Sequence, residues 1–369
     1  MKFTCEKYLL LAAVNTASRA VATKSPIPSL EGILIDAEND VKVTGYDLKR
    51  GIHTTFAADV AEPGSIVLNS KLFCEIVRSL PDGIVSFSVE NMLTTITCGA
   101  AEFKIAGSDA GEYPELPTVD REKSVMLPQN ILGNMIRQTI FAISDNDTRP
   151  VYTGELFEIE EDNLTIVAID GYRMAVRSET VNAEAVEDCR FIVPGAALSD
   201  VEKLCGDTED PVHITIGAKH ISFSLEDTVL VTRRLEGEFL NYRTSIPSQF
   251  ALEVEVEKED LFQAVSRVSL MIEDKIKNPL RVTFGDNIIK MICATGMGNA
   301  EDTCRSKGNG RNLEIGFNNR YVLEALRAAP EKELLVCLNS EASPCVIKAA
   351  DHTDNFIYMI LPVRLKAGA

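Results

Sequence analysis

The segment VTGYDLKR (Val43–Arg50) returns later in the chain as AIDGYRMAVR (Ala168–Arg177) and, more faintly, as ATGMGNAEDT (Ala294–Thr303). Gly45, Gly171 and Gly296 stand 126 and 125 residues apart. A second set keeps nearly the same spacing: IVLNSKLFCEIVRSLP from Ile66, FIVPGAALSDVEKLC from Phe191 and EIGFNNRYVLEALRAAP from Glu314, each a short strand running into a helix. Ordered features recurring at one period mark an internal repeat, and a repeat governs every later inference about the fold.

Upstream of each glycine segment lies a longer helical pattern, with Leu10, Val14, Ala17 and Val21 on one face of the first. Leu132, Ile136, Ile140 and Ile143 do the same in the second, and Leu261, Val265 and Val268 in the third. Between helices run paired apolar stretches broken by turn formers, such as GILIDAENDVKVTGYD, LFEIEEDNLTIVAI and LRVTFGDNIIKMICA, which read as hairpins. Each unit of about 125 residues, a common domain size, is thus helix, strands, helix, strands. The expected class is α+β: three repeated domains, each with two helices packed on antiparallel sheets, at 1–121, 122–249 and 250–369.

The 369 residues are 45% hydrophobic, enough for several cores. No apolar run approaches a membrane span, and MKFTCEKYLL lacks the ordered regions of a signal peptide, so a cytoplasmic protein without membrane contact is expected. Nine cysteines are scattered without a CxxC pair and read as reduced core thiols. His53, His213, His220 and His352 show no metal-binding spacing, so neither a metal nor a cofactor is expected.

A net charge of -18 disfavours a nucleic-acid partner unless the cations are segregated. The six predicted helices are Thr4 to Val21, Ser70 to Ser79, Gln129 to Ile143, Gly195 to Leu204, Lys258 to Met271 and Asn318 to Ala328. They carry ten Lys or Arg against seven Asp or Glu, so the acidity belongs to strands, turns and linkers. Mildly basic helices and acidic sheets fit helices that face a polyanion, although ordinary solvated helix faces account for the same charges. Arg137 and Arg267 read as matching repeat positions.

Enzyme signatures are missing. GMGNA at Gly296 and GNGR at Gly308 lack the lysine and the flanking pattern of phosphate-binding loops and read as turns. No GxSxG elbow occurs, and Glu160, Glu161 and Asp162 read as a hairpin turn. An acidic peptide-binding scaffold that never touches nucleic acid fits the composition as well as a polyanion-facing protein does.

The order of MKFTCEKYLL, SPIPSLEGILID, PGSIVLNSKLFCEIVRSLPDG, EYPELP, AIDGYRMAV, EGEFLNYRTSIP and YMILPVRL resembles, over the whole length, the bacterial sliding clamp, the beta subunit of the replicative DNA polymerase. The resemblance implies a non-catalytic processivity factor: a head-to-tail homodimer of three-domain crescents forming a ring around duplex DNA, which it holds topologically and without sequence preference. It implies an apolar groove for short peptides of the polymerase catalytic subunit, the clamp loader, and repair or regulatory proteins. The matching groove positions are Ile169, Gly171, Tyr172, Arg173, Met174, Leu240, Pro344, Met359, Leu361, Pro362, Val363 and Arg364. DNA-facing candidates are Lys24, Arg137, Asn146, Arg149 and Arg267; for the subunit contact they are Lys71, Phe103, Ile105, Leu270 and Met271. Thr244 and Ser245 depart from the family's usual basic and aliphatic pair, and a KAGA tail follows Leu365.

Overall fold

The computed structural model describes residues 1–120, 123–146, 148–181, 188–272, 278–353 and 355–365. The boundary expected at 121–122 and the KAGA tail lie outside those residues. Among the described residues the six α-helices are α1 (Lys7–Ala17), α2 (Ser70–Ser79), α3 (Gln129–Thr139), α4 (Gly195–Leu204), α5 (Lys258–Ser269) and α6 (Asn319–Ala328). Each follows on a strand, as the sequence pattern predicts for α2, α4 and α6. The first helix is shorter than expected. Phe3 and Cys5 are buried while their neighbours are not, so the alternation makes Lys2–Glu6 a strand, and a 3-10 turn at Ser18–Ala20 ends the helix. A 3-10 turn at Ile140–Ala142 likewise ends α3.

Helix α1 buries Leu10, Ala13, Val14 and Ala17, and α5 buries Leu261, Ala264, Val265 and Val268, in both cases at helical spacing. Asn69 caps α2 by accepting from Leu72 N at 3.0 Å, and Asn318 caps α6 by accepting from Arg320 N at 3.0 Å; such caps satisfy donors the helix leaves open.

Chain contacts divide the molecule into two compact units. The first comprises Met1–Gly133 with Ser199–Arg234; the second holds Asn134–Val181, Glu187–Leu198 and Leu235–Ala369. This division cuts through the central repeat because half of its strands pair with the first repeat and half with the third. In the first unit, five strands run in the order Asp59–Glu62, Lys2–Glu6, Ile84–Glu90, Leu93–Cys98, Ala101–Ala106. Eight more run Lys123–Pro128, Pro211–Ile216, His220–Leu225, Thr228–Arg233, Arg50–Phe56, Val41–Tyr46, Gly32–Ala37, Gly64–Asn69. The second unit has one sheet of ten, in which Asn163–Ile169, Arg173–Thr180, Phe356–Ile360 and Cys345–Ala349 are successive neighbours. All pairings are antiparallel. The first core stacks Phe3 on Phe87 at 4.7 Å with Phe73 edge-on.

The repeats are joined strand to strand, and both joints follow one plan. Arg50–Phe56 pairs with Thr228–Arg233, so that Arg50 faces Thr232; Arg173–Thr180 pairs with Phe356–Ile360, so that Arg173 faces Ile360. The hairpin registers (Tyr46 with Gly51, Ile169 with Met174, Ala294 with Asn299) align Asp47, Asp170 and Thr295, and then Arg50, Arg173 and Gly298. This corrects the alignment of Gly45 with Gly171. Gly45 lies within a strand, where a Cβ would come 2.0 Å from the carbonyl oxygen of Ala17 in α1; it is required for close packing. The counterpart of the Gly171 turn position, at φ +92°, is Leu48, at φ +71°.

Two further expectations change. GNGR at Gly308 is part of the long strand Gly298–Phe317, opposite a bulged stretch around Asp286, and is no simple turn. Arg137 and Arg267 are one residue out of register: the buried pairs Leu132 with Leu261 and Ile136 with Val265 place Arg137 opposite Ser266. One residue turns a helix by roughly 100°.

Candidate functional site

Within the second unit, the turn Asp170–Arg173 is held by its first residue. Asp170 Oδ1 accepts from Tyr172 N at 2.8 Å and Arg173 N at 3.0 Å, and its Oδ2 accepts from Arg173 Nε at 2.9 Å. Arg173 is buried, bonds Glu324 on α6, and lies over the rings of Tyr321 (4.4 Å) and Phe141 (5.4 Å). Arg320 adds a second guanidinium 2.8 Å from Glu324. Burial pushes the Glu324 carboxyl up, but Arg173 and Arg320 outweigh it and hold the group below its ordinary range. The network fixes the turn so that Tyr172 projects, 64% exposed.

Around this turn is a hollow of about 530 Å³ lined by Gly171, Tyr172, Arg173, Arg320 and Tyr321 on one side and Asn146, Arg149 and Tyr152 on the other. A second hollow of about 470 Å³ is lined by Leu361, Pro362, Val363 and Arg364 with Glu314 and Glu341. The two adjoin at the backbone bond from Leu361 N to Tyr172 O, 2.8 Å. Ile169 and Met174, which flank the turn in sequence, belong with Met359 to one apolar cluster that includes Val346 and Phe239. Leu240, next to Phe239, remains 45% exposed, and Val363 39%. Pro344 is half-buried ahead of Cys345, whose partner in the sheet is Ile360. Of the groove candidates, Gly171, Tyr172 and Arg173 thus line the first hollow and Leu361, Pro362, Val363 and Arg364 the second, while Ile169, Met174, Leu240, Pro344 and Met359 line neither. Arg173 stands apart from the others, since its charge is spent on Asp170 and Glu324. The sequence reading missed Asp170, Tyr321 and Glu324; the recurrence of Asp-x-x-Arg at Asp47–Arg50 and Asp170–Arg173 was the available signal.

The five DNA-facing candidates are dispersed. Lys24 is exposed on the loop after α1, in the first unit. Asn146 and Arg149 share the Tyr172 hollow, where the Arg149 guanidinium lies 5.9 Å from the Tyr152 ring. Arg137 is exposed on α3 with Asn134 as a hydrogen-bond partner. Arg267 donates to Asp302 at 2.6 Å, which lowers the Asp302 pKa and neutralises part of the cation. Of the subunit-contact candidates, Leu270 is 84% exposed, Lys71 exposed, and Phe103, Ile105 and Met271 half-buried.

Cys5 and Cys304 are free thiols that burial raises to about 12, which makes them poor nucleophiles. Among the described residues no group of three or more metal-ligating side chains is found, and no helix is long and apolar enough to cross a membrane.

Three α+β repeats joined edge to edge, with two hollows at the second joint, define a clamp-type scaffold. Residues 1–117, 126–241 and 243–364 match, in turn, the N-terminal, central and C-terminal domains of the DNA polymerase III beta subunit. The beta sliding clamp of Bacillus subtilis (strain 168) is 31% identical over 377 residues, 99% of this chain and 100% of that one. Its family's solved structures superpose closely: the DNA polymerase sliding clamp from Bacillus subtilis has a TM-score of 0.94 at 30% identity, covering 99% of this chain and 100% of that one. A DNA polymerase III beta subunit structure from Eubacterium rectale has a TM-score of 0.92 at 35% identity, covering 98% and 99%. The chain belongs to the DNA polymerase III beta subunit family, the bacterial beta sliding clamps, whose members are non-catalytic processivity subunits.

Proposed function

We propose that two copies of this chain close head to tail into a ring that encircles duplex DNA, slides on it without reading sequence, and tethers the replicative polymerase. The carrying observation is the pair of unfinished joints. Each repeat supplies a strand after its hairpin turn and a last strand for the joint before it; the chain contains two completed joints. Its remaining half-joints are the stretch 298–306, paired with Leu280–Thr295 on one side and joined on the other by Leu252–Glu257 only from Lys307, and the edge strand Ala101–Ala106, paired only with Leu93–Cys98 among the described residues. An open edge is a template for pairing, and a heterologous contact that closes makes a ring. Lys71, Phe103 and Ile105 would then meet Leu270 and Met271 of a second copy.

The groove candidates from Ile169 to Arg364 support a docking site for peptides of the polymerase catalytic subunit, the clamp loader, and repair or regulatory proteins. Lys24, Arg137, Asn146, Arg149 and Arg267 are proposed to approach phosphates, few enough that direct binding is weak and salt-sensitive. Domain limits at 1–121, 122–249 and 250–369, and a cytoplasmic location, accord with this reading. The test is to load the protein onto nicked circular DNA with a bacterial clamp loader and ATP, wash in moderate salt, and cut the circle once. Retention before the cut and release after it is the expected result. Absence of a cut-sensitive fraction with an active loader would instead favour a peptide-binding scaffold that never encircles DNA.

A further inference from the structure

The two joints completed inside the chain share a device beyond strand pairing. At the second, Arg173 reaches from the Asp170 turn to Glu324 on α6. At the first, Arg50 reaches from the Asp47 turn to Asp200 on α4: Asp47 Oδ1 accepts from Lys49 N and Arg50 N at 2.9 and 2.8 Å, and Arg50 Nε stands 3.2 Å from Asp200 Oδ2. That contact is a close charge pair, not an aligned hydrogen bond. Both carboxylates occupy the sixth position of their helix, Asp200 in α4 and Glu324 in α6. Both arginines are also held by the segment after the repeat's first helix, Arg50 by the carbonyl of Arg19 at 3.1 Å and Arg173 by the ring of Phe141.

The third copy of this plan is incomplete in a definite way. Hairpin register puts Gly298 where Arg50 and Arg173 stand, and Thr295 at the aspartate position, where its hydroxyl still caps the turn at Met297 N, 3.3 Å. The sixth residue of α2 is Glu75, so the acid survives. The helical register that aligns Leu132 with Leu261 also aligns Leu270 with Phe141. Leu270 and Met297 are 84% and 76% exposed, and Leu72, at the α2 position corresponding to Tyr321 of α6, is 45% exposed.

We propose that the joint between two copies is the one joint built without the arginine: Gly298 of one copy leaves Glu75 of the second copy without a cation across the joint, and Leu270 and Met297 packed on Leu72 hold the contact instead. This rests on the head-to-tail homodimer proposed above. The second internal joint is fastened by a desolvated charge pair that is costly to break, and the first holds Asp200, whose pKa burial raises against the pull of Arg50; the inter-copy joint relies on apolar burial and carries a carboxylate that no arginine reaches across the joint. The plan also sets the register: as Arg173 faces Ile360 and Arg50 faces Thr232, Gly298 faces Ile105 of the second copy.

The experiment is the dimer dissociation constant of the full-length protein by sedimentation over a concentration series, with circular dichroism and melting temperature as folding controls. Glu75→Gln is expected to tighten the dimer about fivefold to tenfold, because it removes a charge that association desolvates without compensation. Leu72→Asp and Met297→Asp are expected to weaken it at least about tenfold, with Leu72→Ala and Met297→Ala as milder variants weakening it in the same direction. An unchanged or weaker Glu75→Gln dimer, or indifference to the Leu72 and Met297 changes, would overturn the proposal. A wild-type chain that stays monomeric at every concentration would overturn the homodimer reading itself, a result distinct from either.

Discussion

Replacing Arg173 by methionine tests whether the second joint is fastened as described. The side chain is 6% exposed and makes two ionic contacts, to Asp170 and Glu324, whose side chains are 11% and 19% exposed. Methionine keeps much of the volume but leaves both carboxylates facing a cavity without their shared cation. Breaking a buried pair by removing one partner costs about 3–5 kcal/mol. Glu324 keeps Arg320 at 2.8 Å, which argues for the lower end, and the stacking on Tyr321 adds up to about 1 kcal/mol. A loss of about 3 kcal/mol is expected, or about 6–12 °C in melting temperature for a unit of this size. Acid sensitivity supplies a second readout. Glu324 is depressed in the folded chain, so its contribution is present above its unfolded pKa and lost as pH falls through the folded value. Arg173→Met should flatten the acid limb of stability against pH. Urea unfolding of the wild type, Arg173→Met, Glu324→Gln and the double variant measures the coupling, expected above about 1.5 kcal/mol. A single-variant loss under about 1 kcal/mol, or additive effects, would refute the claim that this pair fastens the joint.

Glu155 is fully buried, and burial pushes its pKa up to about 8 against a smaller opposing effect of Thr139. Because the folded pKa is the higher one, its favourable contribution is complete below the unfolded value and is lost as pH rises through the folded one; the melting temperature should decline between about pH 5 and pH 8 and hold level in Glu155→Gln. Tyr172→Ala should leave stability within about 0.5 kcal/mol, since the ring is mostly exposed, yet weaken a fluorescent apolar peptide at least about tenfold; equal affinity would remove Tyr172 from the groove. Lys24→Ala and Arg149→Ala should each lower the slope of log binding constant against log salt, for direct binding to duplex DNA, by up to about 0.9. A residue whose removal leaves the slope unchanged does not touch phosphate.

The repeat was legible in the sequence because it rests on burial patterns that local chemistry enforces. Leu10, Val14 and Ala17 recur at helical spacing, and α2 and α4 begin and end where the pattern places them. The misreading at Thr4 came from two overlapping periods, a strand of alternating Phe3 and Cys5 running straight into the helix without a capping side chain at Glu6. The misalignment of Gly45 came from treating a conspicuous residue as a position. Glycine serves close helix approach at 45 and a left-handed turn at 171, whereas the register is carried by the plainer Asp-x-x-Arg. In the site, the exposed rims Tyr172, Leu240 and Val363 were accessible to a family resemblance, but the partners of Arg173 were not. Glu324 is 151 residues away and becomes its neighbour only through strand pairing across the joint.

The proposed docking groove falls at that joint and not at the first, which has the same backbone. The bond from Leu361 N to Tyr172 O at 2.8 Å has a counterpart from Arg233 N to Lys49 O at 3.0 Å, so the two turns meet their neighbouring strands alike. What differs is the side chains at the rim. The first joint presents Lys49, Arg233 and Arg234, while the second presents Tyr172, Leu361, Pro362 and Val363 next to the apolar cluster of Ile169, Met174 and Met359. Hydrated cations cannot seat an apolar anchor, whereas the second set offers burial worth about 25 cal/mol per Å² of apolar surface covered. On the function proposed above, the same joint geometry would serve as a fastening in one place and as fastening plus docking surface in the other. The charge on the fastening arginine is what permits both, since Arg173 holds the turn rigid from beneath and leaves Tyr172 above it free to meet a ligand.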